Sequence, residues 1–288
     1  MPKIGVVIRT LNESELIGRC LDSLARQQPG FDLDVLVVDS GSTDATIEIA
    51  RSGGARIHEI APDDFDYSTA LNVGIERVEG DLVLILSAHA IPTDEHWIAR
   101  MIAPFADPEV AGVACRQVPW EGAPWREVAR LEREFGPARR VYAGKGSRPL
   151  FSNAASCIRR TVWQQEPFTL PAAEDLEWAR RVVGGGWSVV YEAGASVYHS
   201  HDETPREQAR RLLDINRAAD PGAPRRRALR EAAAYLRRDA TAIARLDAPV
   251  RRKVAYLGDV LAMVAYYVAD FSRRGTTAER RREDVRAA

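Results

Sequence analysis

A chain of 288 residues with 45% hydrophobic and 28% charged residues has the composition of an ordinary soluble globular protein, long enough for one large domain plus an appendage. Forty Lys+Arg against forty-one Asp+Glu leave a net charge of −1, which removes any global electrostatic case for a nucleic-acid partner. Cys20, Cys115 and Cys157 lack metal-type or paired spacing, and Cys20 and Cys115 lie in apolar patterns that point to buried thiols in a reducing compartment.

The N-terminus, MPKIGVVI, opens directly on a strand pattern and lacks a basic-then-apolar leader, so a cytoplasmic protein is expected. Ile4–Ile8 is a β-branched run ending at Arg9-Thr10-Leu11-Asn12. Asn12 is placed to cap a helix with Leu16, Ile17, Cys20, Leu21 and Leu24 on its apolar face. Pro29-Gly30 breaks that helix, and Val35–Val38 forms a second buried strand leading into Asp39-Ser40-Gly41-Ser42-Thr43-Asp44. A short helix over Ala45–Arg51 closes at Gly53-Gly54, and Arg56–Ile60 is a third strand. After an acidic loop, Ser68–Val78 reads as a helix closing at Gly80.

Val83–Leu86 is a continuous apolar run, the mark of a strand buried on both faces. It stops at Ser87-Ala88-His89-Ala90, and Pro92 bars it from continuing in a sheet centre. Strand–helix alternation with short loops gives parallel βαβ units, hence an α/β, doubly wound, mostly parallel, Rossmann-like sheet. In such sheets ligands bind beyond the carboxyl ends of the strands, where Arg9-Thr10, Asp39 and Ser87–His89 all fall. His89 thus sits where a metal or phosphate would bind; the plainer alternative is a histidine in a polar turn. Neither GxGxxG nor GxxxxGK[ST] follows the first strand, so nicotinamide, flavin and P-loop fingerprints are missing.

Six segments in order resemble family 2 glycosyltransferases of the GT-A fold: VVIRTLNES (6–14), VVDSGSTD (37–44), ALNVGI (70–75), GDLVLILSAHAIP (80–92), AEDLEWARR (173–181) and VYHSH (197–201). Bacterial rhamnosyltransferase-type enzymes of surface polysaccharides are the subgroup they look most like. The resemblance implies an inverting, metal-assisted enzyme that moves a sugar from a nucleotide-diphosphate sugar to a hydroxyl of a saccharide or lipid-linked saccharide. The competing reading is a catalytically inactive sugar-nucleotide-binding module with a degenerate DxD motif. It further implies that Thr10, Asn12 and Glu13 line the nucleotide pocket with Asp39, Asp44, Asn72, Asp81, Ser87 and Ala88. The DxD position reads Ser87-Ala88-His89 here, so His89 replaces the metal-binding aspartate, and imidazole favours Mn²⁺ over Mg²⁺. His199, with His201 as second choice, completes the implied metal site. Asp175 is the implied general base, with Glu174 orienting the acceptor. Carboxylates in a helix's first turn are favoured by its dipole, which is expected to keep both ionised.

Arg116–Phe151 breaks the alternation and reads either as an acceptor loop bearing Trp120 and Trp125, or as a helix over Trp125–Phe135 packed on the sheet. The expected division is a GT-A domain over 1–205 and a helical extension over 206–288. In the extension, Val254, Leu257, Leu261, Val264, Val268 and Phe271 repeat at alternating spacings of three and four, an apolar seam with Asp259 and Asp270 on another face. Packing on the catalytic domain is the default for that helix; a second subunit or the inner surface of the plasma membrane are the other places for it.

Overall fold

The computed structural model describes residues 3–201, 203–219, 225–245 and 249–271. The chain divides into two compact units: Met1–Trp120 with Phe135–His199, and Glu121–Glu134 with the chain from Ser200 on.

The first unit is built on one sheet. Its strands are β1 (Lys3–Thr10), β2 (Asp32–Asp39), β3 (Arg56–Glu59), β4 (Leu82–Ser87), β5 (Ile91–Pro92), β6 (Val110–Val118), β7 (Arg140–Tyr142), β8 (Ala155–Arg159) and β9 (Ser188–Tyr198). Their order is β3-β2-β1-β4-β8-β6-β9-β5, with β7 also paired to β9. β1, β2, β3 and β4 run parallel, as the alternation of strands and helices requires. β8 then enters antiparallel between β4 and β6, and β6 pairs parallel with β9. The expected doubly wound sheet is present, with an antiparallel strand at its centre. Pro92 lies in the two-residue edge strand β5, where its missing N–H costs nothing.

The apolar runs are continuous because both faces are covered. Ile4, Val6 and Ile8 of β1 point into one core layer with Leu84 and Leu86 of β4, under α1 (Ile17–Ala25) and a helix over Trp97–Ile102. Val7, Val83 and Ile85 point into the other, under α3 (Tyr67–Arg77) and α7 (Glu174–Gly184). One helix start differs from expectation. Asn12 does not cap α1, which begins behind Leu16 without a side-chain cap. Instead Asn12 takes a left-handed backbone (φ 53) and turns its side chain to the loop after β2.

Register brings distant segments to one edge. Thr10 is paired with Asp39 and Arg9 with Ser87, at the carboxyl ends of β1, β2 and β4. Because β8 is antiparallel, its first residue, Ala155, lies beside Leu86 at the same edge. β6 and β9 end together there at Val118 and Tyr198, so His199 leaves the sheet on this side.

The second unit holds α5 (Trp125–Glu134), α8 (Pro205–Ala219), α9 (Arg225–Arg245) and α10 (Val250–Phe271). The helix expected to pack on the sheet is α5, whose Ala129 is instead buried with Ile243, Tyr256 and Val260 of this unit. The seam read along α10 splits in two. Val264, Val268 and Phe271 face a core with Leu213 and Ala232, whereas Val254, Leu257 and Leu261 are exposed.

Candidate active site

The loops after β1 and β2 are stitched to each other. The N–H of Asn12 donates to Ser42 Oγ (2.8 Å), that of Glu13 to Thr46 Oγ1 (2.7 Å) and that of Ser14 to Asp44 Oδ2 (3.2 Å). In return the N–H of Thr43 donates to Asn12 Oδ1 (2.8 Å). Asp39 is fully buried, and its carboxylate accepts the N–H groups of Gly41 and Ser42, both at 2.8 Å, and the Ser42 hydroxyl. Asp44 accepts the hydroxyl and the N–H of Thr46, and the hydroxyl bond foremost holds its carboxyl down to about 2. Thr10 is buried beside Asp39, and its hydroxyl has no partner among the described residues.

At the end of β4 the chain turns on Ser87, whose carbonyl accepts the N–H of Ala90. This turn presents His89. Its Nδ1 lies 2.6 Å from Glu13 Oε1, so the carboxylate orients the ring as an Nδ1–H donor and leaves the lone pair on Nε2. His199, buried at the end of β9, stacks on it with ring centroids 4.9 Å apart and planes 15° apart. Its Nδ1 lies 2.9 Å from Gln117 Oε1, and Gln117 Nε2 donates to Ser152 Oγ (3.0 Å), which fixes the amide orientation. Two imidazoles with their Nδ1 atoms anchored to oxygen acceptors are oriented as metal-binding histidines are. The donor set therefore fits a divalent cation. Next to His199, Tyr198 stacks on Trp120 at 4.9 Å, and Arg19 lies 4.8 Å over Trp120. His201 belongs to the second unit, where its N–H donates to Glu127 Oε1 (3.2 Å).

The carboxylate pair opens α7. Glu174 is only 4% exposed, its Oε1 3.3 Å from Asn153 Nδ2 and 3.6 Å from Arg9 Nη1. Its carboxylate is thus engaged with Asn153 and Arg9. Asp175 accepts the N–H of Asn153 (3.2 Å) on Oδ2 and that of Leu176 (2.7 Å) on Oδ1. Burial first, and the neighbouring Glu174 charge second, push its carboxyl up to about 7. Burial thus outweighs the helix dipole expected to keep it ionised. The residue after Asn153, Ala154, accepts the N–H of Ser87 through its carbonyl (2.9 Å), so Asp175 and the His89 turn hold adjacent residues of one segment.

Three residues implied as nucleotide contacts, Asn72, Asp81 and Ala88, lie in different surroundings. Asn72 donates to the Phe168 carbonyl (2.9 Å) and accepts from Trp163 Nε1 (2.9 Å) and the Phe168 N–H (3.2 Å), which ties α3 to the segment before α7. Asp81 precedes β4 at its amino end, about 20 Å from Ser87 along the strand. Ala88 buries its methyl in the core and donates its N–H to the Arg9 carbonyl (3.0 Å). We predict that Asn72→Ala lowers unfolding free energy by about 1–3 kcal/mol in urea titration and leaves nucleotide affinity unchanged. A matching loss of affinity would return Asn72 to the pocket.

Sequence reasoning placed Arg9 at the ligand edge without giving it a role, and gave none to Asn153 or Gln117. Gln117 had a signal: it is a polar residue, 4% exposed, in the otherwise apolar strand VAGVACRQV. Arg9 likewise ends a buried strand with a charge, and its guanidinium lies 4.8 Å over the Tyr67 ring.

A parallel half-sheet that turns antiparallel at β8, with histidines and carboxylates collected at one edge, is the GT-A fold. The chain belongs to glycosyl transferase family 2, whose profile matches residues 5–165. It is 31% identical over 225 residues to the O-antigen chain rhamnosyltransferase RfbN of Salmonella typhimurium, covering 74% of this chain and 71% of that protein. The O-antigen chain rhamnosyltransferase WbaN of Salmonella anatum is 27% identical over 224 residues, with the same coverage. Among solved structures, the mannosyltransferase PcManGT of Pyrobaculum calidifontis, in complex with GDP-Man and Mn²⁺, superposes with a TM-score of 0.58 at 20% identity over 99% of this chain and 80% of that one. Glucosyl-3-phosphoglycerate synthase of Mycobacterium tuberculosis, with Mn²⁺, UDP and glucosyl-3-phosphoglycerate, gives 0.53 at 19% identity, covering 76% and 78%.

Proposed function

We propose that this glycosyltransferase moves a sugar, with inversion, from a nucleotide-diphosphate sugar to an acceptor hydroxyl during synthesis of a bacterial surface polysaccharide. The likeness to two O-antigen rhamnosyltransferases supports the pathway class, and the solved structures bound to GDP-Man or UDP support the donor class. The observation that carries the reading is the short link, through Asn153-Ala154, between the His89 turn and the Asp175 carboxylate.

In this reading Thr10, Asn12, Glu13, Asp39, Asp44 and Ser87 form the nucleotide end of the cleft. Asp39 and Asp44 act mainly by fixing its loops, and the buried Thr10 hydroxyl is the group there with bonding capacity to spare. His89 and His199 hold a divalent cation, Mn²⁺ in preference to Mg²⁺, and His201, two residues along the chain, is the second-choice ligand. When bound, the cation supplies positive charge to the donor's diphosphate. Trp120 and Tyr198 offer a flat aromatic face to the acceptor saccharide. Asp175 takes the proton from the acceptor hydroxyl, and a carboxyl titrating near 7 is suited to that task at neutral pH. Glu174 is a positioning residue, fixing Asn153 and Arg9 behind the base.

A thermal-shift screen of UDP-, GDP- and dTDP-sugars with and without Mn²⁺ tests the donor class. One nucleotide class should raise the melting temperature by several degrees, and only with the cation. No shift with any of them would overturn the reading.

A further inference from the structure

Helix α10 has two unlike sides. At about 100° per residue, Val250, Val254, Leu257 and Leu261 share one sector of the helix. They are 76%, 63%, 39% and 50% exposed, and the exposed Gly258 and Ala265 widen the same strip. The opposite side is occupied. Tyr256, Val260, Met263 and Tyr267 are buried against other helices of the second unit. Both acids of the helix lie on that occupied side. Asp259 pairs with Arg126 at 3.3 Å and Asp270 is buried.

The charges on the exposed side are all positive. Arg251 and Lys253 flank the strip at the N-terminal end of the helix, one on each edge. An apolar strip edged by bases and free of acids is the pattern of a helix that lies in a membrane interface, with its bases reaching lipid phosphates. The 22 residues are long and apolar enough to cross a bilayer, but the side away from the strip is packed against its neighbours. A spanning orientation would strip away that packing and place Asp259 in hydrocarbon.

We propose that the second unit docks on an anionic bilayer surface through this strip. Val250, Val254, Leu257 and Leu261 enter the boundary between headgroups and acyl chains, and Arg251 and Lys253 pair with lipid phosphates. Charge selects this occupant over a second copy of the chain, whose matching face carries the same bases and no acid to meet them. The proposal goes beyond the transfer reaction and is tested without it.

The test is co-sedimentation of the full chain with vesicles of phosphatidylcholine alone and of phosphatidylcholine mixed with phosphatidylglycerol. The protein should sediment with the mixed vesicles and much less with phosphatidylcholine, and raising the salt from roughly 0.1 to roughly 1 M should release it. The double variant Leu257→Glu/Leu261→Glu should bind at least tenfold more weakly, with an unchanged circular dichroism spectrum and melting transition. Arg251→Glu/Lys253→Glu should lose the preference for the anionic vesicles. Val254→Asn, at a more exposed position, serves should the double leucine variant melt early, and it too should weaken binding. Failure to sediment with either vesicle, or equal binding by the folded variants, overturns the proposal. So does a dimer in sedimentation velocity that Leu257→Glu/Leu261→Glu converts to monomer, because the strip would then be covered by a second copy.

Discussion

Asp175→Asn is expected to lower the transfer rate by about 10²–10⁴-fold while leaving the dissociation constant of the nucleotide sugar nearly unchanged. Asn keeps the shape and still accepts one of the two N–H bonds now made by Asn153 and Leu176, but it cannot take a proton. The pH dependence follows from the same carboxyl. Titrating near 7 in the folded chain, it makes kcat/KM of the parent enzyme fall about tenfold per pH unit below that value, and the variant's residual rate should lack this limb. Stability moves the other way. The carboxyl's ordinary value is 3.8, so between about pH 4 and about pH 7 the folded state holds a proton that the unfolded state has released. Stability therefore falls as pH rises through that window, and the loss is complete above it. Removing the charge should stabilise the chain at about pH 8 and leave it little changed at about pH 4, as read by urea unfolding. Full activity in the variant would refute the base assignment, and an inactive sugar-binding module would show no rate to lose.

His89→Ala should weaken binding of the nucleotide sugar in Mn²⁺ by at least about tenfold, and change it little in EDTA. The companion substitution Glu13→Gln tests the orienting bond. A neutral amide in place of the carboxylate 2.6 Å from Nδ1 loosens the ring and makes its other nitrogen less basic, so cation affinity should drop by about 10–100-fold. Calorimetric titration with the cation and with the sugar nucleotide separates the two effects. Dissociation constants for His89→Ala that match the parent in both conditions would remove this histidine from the cation site.

What could be read from the chain follows how local the determining forces are. Val83–Leu86, and the helix ending before Gly80, were legible because an apolar run or a 3.6-residue period is written in adjacent residues. The shared edge of Thr10, Asp39 and Ser87 was legible because parallel strands joined by short loops leave one arrangement open. The antiparallel insertion of β8 was not, since its register is set against β4 and β6, strands about seventy and forty residues earlier in the chain. Asn72 shows the same limit. Its motif pointed to the nucleotide, but its partners come from Trp163 and Phe168, which no local pattern connects to it. Glu174 and Asp175 look alike in sequence, and only their folded partners separate them: Glu174 faces the Asn153 amide and Arg9, whereas Asp175 accepts the N–H groups of Asn153 and Leu176.

The stitching of the first two loops has a consequence for how a guest is received. Asn12, Glu13 and Ser14 give their N–H groups to the second loop, and Thr43 returns one, so the two loops are held by bonds of the chain's own. Immobilising a freely rotating side chain on capture costs about 0.5–1.5 kcal/mol. Here that ordering belongs to the acquisition of the native state, so the proposed nucleotide end of the cleft is preorganised.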